Sequence, residues 1–93
     1  MATAQKTTDH EVIRAWVEER GGRPTTVKGT GTDGKPGVLR IDFPIDGMDE
    51  GLEPIEWEDF FEKFEEANLA FLHQDTTDNG ELSRFCKFIE RDE

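Results

Sequence analysis

The sequence predicts a single α+β domain with the element order α-β-β-α-β-β, in which two helices pack on one face of a four-stranded antiparallel sheet. Three observations support this fold class. Two segments repeat apolar residues at helical spacing, four extended segments form two pairs with turn residues between them, and 93 residues can bury only one core. We expect the domain to cover residues 7–91, between flexible tails at residues 1–6 and 92–93.

The first helix is expected over residues 9–20. Its start matches a capping box, in which the Thr8 side chain accepts a backbone N–H and Glu11 reaches back. Gly21 and Gly22 follow as a left-handed stop. Apolar residues three and four positions apart mark its buried side: Ile13, Trp16 and Val17.

The first pair of strands is expected over residues 25–30 and 38–43, with a long glycine-rich loop between them. The first segment is β-branched, and the second alternates so that Leu39, Ile41 and Phe43 share one face. These features predict a hairpin. The loop also spells G-x-G-x-x-G, but an extended segment follows it, so no helix N-terminus is present to hold a phosphate.

The second helix is expected over residues 57–67, with Glu56 as N-cap and Asn68 as a left-handed terminator. Ile55 and Phe60 occupy the positions of a hydrophobic staple. Strands over residues 69–74 and 83–89 follow, and an Asn-Gly pair between them predicts a second hairpin. The predicted aromatic core consists of Trp16, Trp57, Phe60, Phe61, Phe64 and Phe85.

Negative charge is concentrated in the middle of the chain. Residues 1–41 carry five acids and seven bases, residues 42–66 carry eleven acids and only Lys63 as a base, and residues 67–93 carry six acids and three bases. The net charge of −11 argues against nucleic-acid binding, which needs a basic surface. The predicted partner-binding residues are Asp46, Asp49, Glu50, Glu53, Glu58 and Glu62.

A calcium loop is an alternative use for some of these acids. Counted from Asp42, the acids Asp46 and Glu53 and the glycine Gly47 fall at loop positions 5, 12 and 6 of an EF-hand. Pro44 at the third position offers no side-chain oxygen, and the segment before the loop is predicted as a strand. We therefore predict no dedicated metal site and no cofactor.

Residues that could carry catalysis are isolated in the sequence. His10 is expected at the surface of the first helix, His73 in ordinary strand packing, and Cys86 as a buried, inert thiol. No Ser-His-Asp or Cys-His motif is present, and the adjacent carboxylates Asp49-Glu50 and Glu58-Asp59 carry no sign of burial. We expect a protein that is not an enzyme.

The cysteine count and the distribution of apolar residues bear on location and assembly. The single cysteine excludes an internal disulfide, and no segment has the roughly 20 apolar residues of a membrane span. The first ten residues lack the apolar core of a signal peptide. These features favour a cytoplasmic monomer.

Four runs carry a family resemblance: AWVEERGGRPTTVKGT, GVLRIDFP, IEWEDFFEKFEEANLAFLHQ and SRFCKFIER. Over about residues 7–91 the chain resembles a family of small, uncharacterised bacterial proteins of this length, some of which are labelled by transfer as 1,4-alpha-glucan branching enzymes. The resemblance implies the same element order and a bacterial or archaeal cytoplasm. Branching enzymes place several carboxylates around the cleft of a large barrel, which 93 residues cannot form, so the resemblance implies no activity and no site residue.

The functional hypothesis is a non-enzymatic interaction or accessory domain that docks a basic protein through an acidic loop and helix surface. A solvated surface or a high-salt cytoplasm would also explain the acids. The main alternative is a small-ligand or glycan-binding domain that uses an exposed aromatic, and a weak calcium-binding module is a third hypothesis. Exposure of Trp16 or Trp57 beside a groove would favour the glycan hypothesis, whereas burial of both would favour docking.

Overall fold

The computed structural model describes residues 4–31, 36–43 and 50–91. These residues form an α+β fold, as predicted, but with two three-stranded antiparallel sheets in place of one four-stranded sheet. The elements in chain order are β1 (Ala4–Thr7), α1 (His10–Glu19), β2 (Arg23–Val27), β3 (Leu39–Asp42), β4 (Leu52–Pro54), α2 (Trp57–Glu66), β5 (Leu69–Gln74) and β6 (Cys86–Glu90).

The first sheet has the strand order β1-β5-β6. The β5–β6 hairpin is confirmed, and Phe71 lies opposite Phe88 within it. Strand β1 was not predicted, and residues 4–6 lie in it where the sequence predicts a tail. β1 is polar and mostly exposed, so it has no apolar pattern by which the sequence could reveal it. It is held instead by main-chain pairing with β5, in which Ala4 lies opposite Gln74.

The second sheet has the order β3-β2-β4. The predicted β2–β3 hairpin is confirmed, although β2 ends at Val27 and the chain turns at Gly29, whose φ is 83°. Strand β4 was not predicted because three residues are too few to show alternation. It makes β2 the central strand, so that Thr26 faces Leu39 on one side and Glu53 on the other.

The core joins both sheets to both helices. Its buried members are Ile13, Trp16 and Val17 from α1, Phe60 and Phe64 from α2, Leu39 from β3 and Phe71 from β5. Trp57 and Phe61 pack against this cluster and are half-buried.

Phe85 does not belong to the core, contrary to the prediction, and is 48% exposed. The physical reason is the period of two along an extended chain. Cys86 and Phe88 pack against the core, so the neighbouring positions Phe85 and Lys87 point away from it. The sequence indicated an aromatic strand correctly but not which of its aromatics faces inward.

The helix ends follow local hydrogen bonding. Asp9 is the N-cap of α1 and its Oδ1 accepts the backbone N–H groups of Glu11 at 2.9 Å and Val12 at 3.4 Å, so the capping box on Thr8 was wrong. Glu56 is confirmed as the N-cap position of α2. The left-handed stops are also confirmed: Gly21 and Asn68 have φ values of 73° and 57°.

Neither helix in the described ranges combines the length and apolar character that a bilayer crossing requires.

Candidate functional site

The exposed acids of residues 50–62, a segment that includes β4 and the first half of α2, are here called the acidic surface. Glu53 lies on β4, Glu56 caps α2, and Glu58 and Glu62 are one helical turn apart on the side opposite Phe60. Its members, all exposed, are Glu50, Glu53, Glu56, Glu58, Asp59 and Glu62. Of the predicted set, Asp46 and Asp49 lie outside the described residues. The other four predicted acids are exposed, and Glu56 and Asp59 are exposed with them.

The carboxylates of the acidic surface have no cationic partner within the described part of the chain. Other acids do have partners: Glu18 lies 3.2 Å from Arg14, and Glu66 lies 3.9 Å from Lys63. Glu58 and Asp59 gain some stabilisation from the N-terminal dipole of α2, but this leaves their charge in place. The acidic surface therefore presents unneutralised charge to solvent.

Glu65 lies on the same helix and behaves differently. Its Oε2 accepts hydrogen bonds from Arg91 Nη2 at 2.8 Å and from His10 Nε2 at 2.7 Å. The bond from Arg91 and, next, the bond from His10 lower the pKa of Glu65 from 4.5 to about 2. The His10 ring also stacks on Phe61, with centroids 4.1 Å apart. His10 therefore links the start of α1 to α2, a role that its prediction as a surface residue missed.

A buried cationic side chain, Arg20, holds the connection between β5 and β6 against the end of α1. Only 2% of its side chain is exposed. Its guanidinium donates to the carbonyl oxygens of Ser83, of Asp75 at 2.8 Å and of Trp16 at 2.9 Å, and it stacks on the Trp16 ring at 4.2 Å. The sequence indicated only that Arg20 ends the helix.

His73, Asp75 and Ser83 lie near this connection, but their geometry is not that of a nucleophilic triad. His73 Nδ1 is buried without a hydrogen bond and lies 3.6 Å from Asp75 Oδ1. Burial is the main cause that lowers the pKa of His73. Ser83 Oγ donates to Gln74 Oε1 at 2.7 Å and not to the imidazole. The arrangement therefore offers no activated hydroxyl.

Cys86 is half-buried, somewhat less enclosed than predicted. Burial raises the pKa of its thiol to about 11. Because the thiolate is the nucleophilic form, a thiol that stays protonated at neutral pH is unreactive.

The register of the second sheet does not favour the calcium hypothesis. Asp42 lies opposite Arg23 on one side of β2, and Glu53 lies opposite Thr26 on the other. Their backbones are two strand spacings apart across the sheet and three residues apart along it, which together give about 14 Å. This distance is too long for both carboxylates to bind one ion. Asp42 is also buried, with its Oδ2 3.4 Å from Arg23 Nη2. Asp46 and Gly47 lie outside the described residues, and those within them include no group of three His, Cys, Asp or Glu that could hold a metal.

Both tryptophans belong to the aromatic core and its margin. Trp16 is buried, and its Nε1 donates to the Gln74 carbonyl at 3.1 Å. Trp57 is half-buried and stacks on Phe61 at 5.3 Å between centroids. Their rings are occupied by protein contacts, so neither is a free platform of the kind on which a sugar ring stacks.

Comparison of the chain with protein families, with curated proteins and with solved structures gives no match in any of the three, so the resemblance to small bacterial proteins stays a prediction.

Proposed function

We propose that the protein is a non-enzymatic interaction domain that docks a basic protein partner through the acidic surface. One observation carries the proposal: six exposed carboxylates, close together in the sequence between residues 50 and 62, lack any cationic partner within the described residues. Complementary charge raises the rate at which partners meet and orients them as they approach.

The positions of the tryptophans support docking over glycan binding. A glycan site needs an aromatic ring that is open to solvent beside a groove, and the Trp16 and Trp57 rings are engaged in the core. Two open grooves lie among the described residues, one beside α1 at His10, Arg14 and Phe61, and one between β3 and the end of α2. Phe85 is exposed, but it lines neither of these two grooves. Glycan binding through Phe85 remains the alternative, and a loss of oligosaccharide binding in Phe85→Ala would support it.

The proposal places a monomer in a reducing cytoplasm, and the single cysteine is consistent with that compartment. The net charge of −11 supports a protein partner over a nucleic acid or an anionic membrane surface, both of which would repel an acidic domain.

Charge removal at two matched places tests the proposal. Glu58→Gln with Glu62→Gln removes two charges from the acidic surface, and Glu81→Gln with Glu90→Gln removes two exposed charges elsewhere. Isothermal titration calorimetry with a lysine-rich peptide, whose two ends are chemically blocked, measures binding to a defined cation. Affinity capture at low and high salt then identifies the natural partner.

We expect the first variant, but not the second, to weaken peptide binding and to lose the captured partner, and we expect high salt to release the partner from the wild type. Circular dichroism checks that both variants fold. Equal capture by both variants, or a partner set that is indifferent to salt, would refute docking through the acidic surface.

A further inference from the structure

The connection between β5 and β6 contains a tight turn that closes at Gly80. The Thr77 N–H donates to the Glu81 carbonyl at 2.7 Å, and the Gly80 N–H donates to the Thr77 carbonyl at 2.9 Å. Gly80 has a φ of 84°, in the left-handed region that glycine adopts without strain. Asp78 and Asn79, between Thr77 and Gly80, are exposed. An asparagine followed by a glycine therefore lies in a solvent-exposed turn.

Asparagine is a chemically labile residue, and a following glycine favours the loss of its side-chain amide. The glycine nitrogen loses its proton to base and attacks the side-chain carbonyl carbon of the asparagine, so that a C–N bond forms. The amide nitrogen takes up a proton and leaves as ammonia, which gives a five-membered cyclic imide. Water then opens the imide at one of its two carbonyls, and the product is aspartate or isoaspartate. Water is the only co-reactant, and no atom is oxidised or reduced.

The space around Gly80 allows this ring to form. A Cβ atom placed on Gly80 would meet no atom within 4 Å, so neither a side chain nor a neighbouring element hinders the attack of its nitrogen on Asn79. The hydrogen bond from Gly80 to Thr77 must break first, because it holds that nitrogen in the turn. Turns at a loop tip open by local fluctuation without unfolding of the core. We therefore expect the fold to slow the reaction at Asn79 without preventing it.

Asn68, the other asparagine of the chain, is held on both sides. Its N–H donates to the Glu65 carbonyl at 3.0 Å, and its carbonyl accepts the Arg91 N–H at 2.9 Å. The next residue, Leu69, packs against the core, and its side chain hinders the nitrogen that would have to attack. Asn68 is exposed like Asn79, so it provides an internal control that differs in the following residue and in its backbone contacts.

We propose that Asn79 is a site of spontaneous deamidation in the folded protein, with water as the co-reactant. The product carries one more carboxylate on a chain whose net charge is −11, next to Asp78. Isoaspartate also adds one carbon to the main chain before Gly80, so the bonds from Thr77 to Glu81 and from Gly80 to Thr77 can no longer both keep their geometry. Deamidation thus opens the turn and adds repulsion between like charges within it.

The change stays local because both sides of the connection are anchored independently of the turn. Arg20 donates to the carbonyls of Asp75 and Ser83, which lie before and after it. The turn is also separate in sequence from the acidic surface, so the deamidation of Asn79 does not depend on docking.

Peptide mass spectrometry follows the reaction at both asparagines of the intact protein. The folded protein is incubated at neutral and at mildly alkaline pH in water labelled with heavy oxygen. We expect Asn79 to be converted with one labelled oxygen incorporated, while Asn68 stays an asparagine. Conversion should be faster at the higher pH, because the Gly80 nitrogen attacks without its proton. A methyltransferase assay that is specific for isoaspartate identifies this product.

A variant and a denaturant provide the controls. Asn79→Gln lengthens the side chain by one carbon, which disfavours closure of the ring, and it should abolish the conversion while keeping the turn. Unfolding of the wild type in guanidinium chloride removes the bond from Gly80 to Thr77 and should accelerate the conversion of Asn79. NMR spectra of the converted protein should show changed amide shifts over residues 77–81 and unchanged shifts in the core.

If Asn79 stayed intact in the folded protein while the unfolded chain was converted, the turn would protect the site and the proposal would be overturned. Equal conversion of Asn68 and Asn79 in the folded protein would overturn it as well, because neither the glycine nor the turn would then select the site. Shifts that spread through the core would contradict a change confined to the turn.

Discussion

Replacing Arg20 with methionine should destabilise the fold more than any other change of a charged side chain discussed above. The guanidinium is nearly fully buried and bonds to the carbonyls of Asp75 and Ser83, which belong to the connection between β5 and β6. Methionine fills a similar volume but donates nothing. The Ser83 carbonyl would lose the guanidinium, and the Asp75 carbonyl would keep only the Ser83 N–H at 3.1 Å, while the apolar packing is largely kept.

The magnitude follows from these contacts. Each charge-assisted bond contributes about 1.5–3 kcal/mol, and the stacking on Trp16 contributes about 1 kcal/mol. Relief of the cost of burying a cation offsets part of this loss. We expect a net destabilisation of about 3 kcal/mol, which for a domain of this size lowers Tm by roughly 12–24 °C.

Urea unfolding followed by tryptophan fluorescence measures this change as a lower midpoint with an unchanged slope. Arg14→Met is the matched control, because Arg14 is 57% exposed and its ion pair is with Glu18, one turn along α1. It should cost about 0.3–0.5 kcal/mol. Arg20→Lys keeps the charge without the planar fork and should fall between the two. If Arg20→Met were as mild as Arg14→Met, the connection would not depend on this side chain.

Two further predictions concern α1 and α2. Asp9→Ala should lower the free energy of unfolding, measured in urea, by about 1 kcal/mol, because Asp9 caps α1. Thr8→Ala should leave it almost unchanged. A larger loss of stability in Thr8→Ala than in Asp9→Ala would restore the capping-box interpretation. The bonds to Glu65 should stabilise the fold above pH 4.5, where the unfolded carboxyl is also charged, and their contribution should disappear as the pH falls toward the folded pKa of about 2. Because Glu65 is 44% exposed, the free energy of unfolding of the wild type should exceed that of Glu65→Gln by only about 1 kcal/mol at neutral pH. A difference that persisted at pH 2 would contradict the role given to the Glu65 carboxylate.

Elements with a regular apolar pattern could be predicted from the sequence. The aromatic stripe of α2 and the run of β5 identified both elements, and β5 has the predicted bounds. The two missed strands show why the remainder could not be predicted. β1 is polar and β4 has three residues, so their positions depend on main-chain pairing with distant strands rather than on any local pattern.

In the candidate site, too, only the features that follow from a local pattern could be predicted from the sequence. Exposure of Glu58 and Glu62 follows from their positions opposite the aromatic stripe, which the sequence displays. The contacts of Arg20 with Ser83 and of His10 with Glu65 join residues 63 and 55 positions apart. Their side chains give no local signal that distinguishes a partner from a solvated charge, because only the folded topology brings them together.

The pairing of Ala4 with Gln74 has a consequence for the order in which the chain can fold on the ribosome. The strands β2, β3 and β4 all lie within residues 23–54, so the sheet that they form can assemble while synthesis continues. Strand β1 is synthesised first but must wait unpaired until β5 has emerged. During that interval its exposed main chain is open to chaperones and to other nascent chains, and a pause in translation after α2 would prolong this exposure.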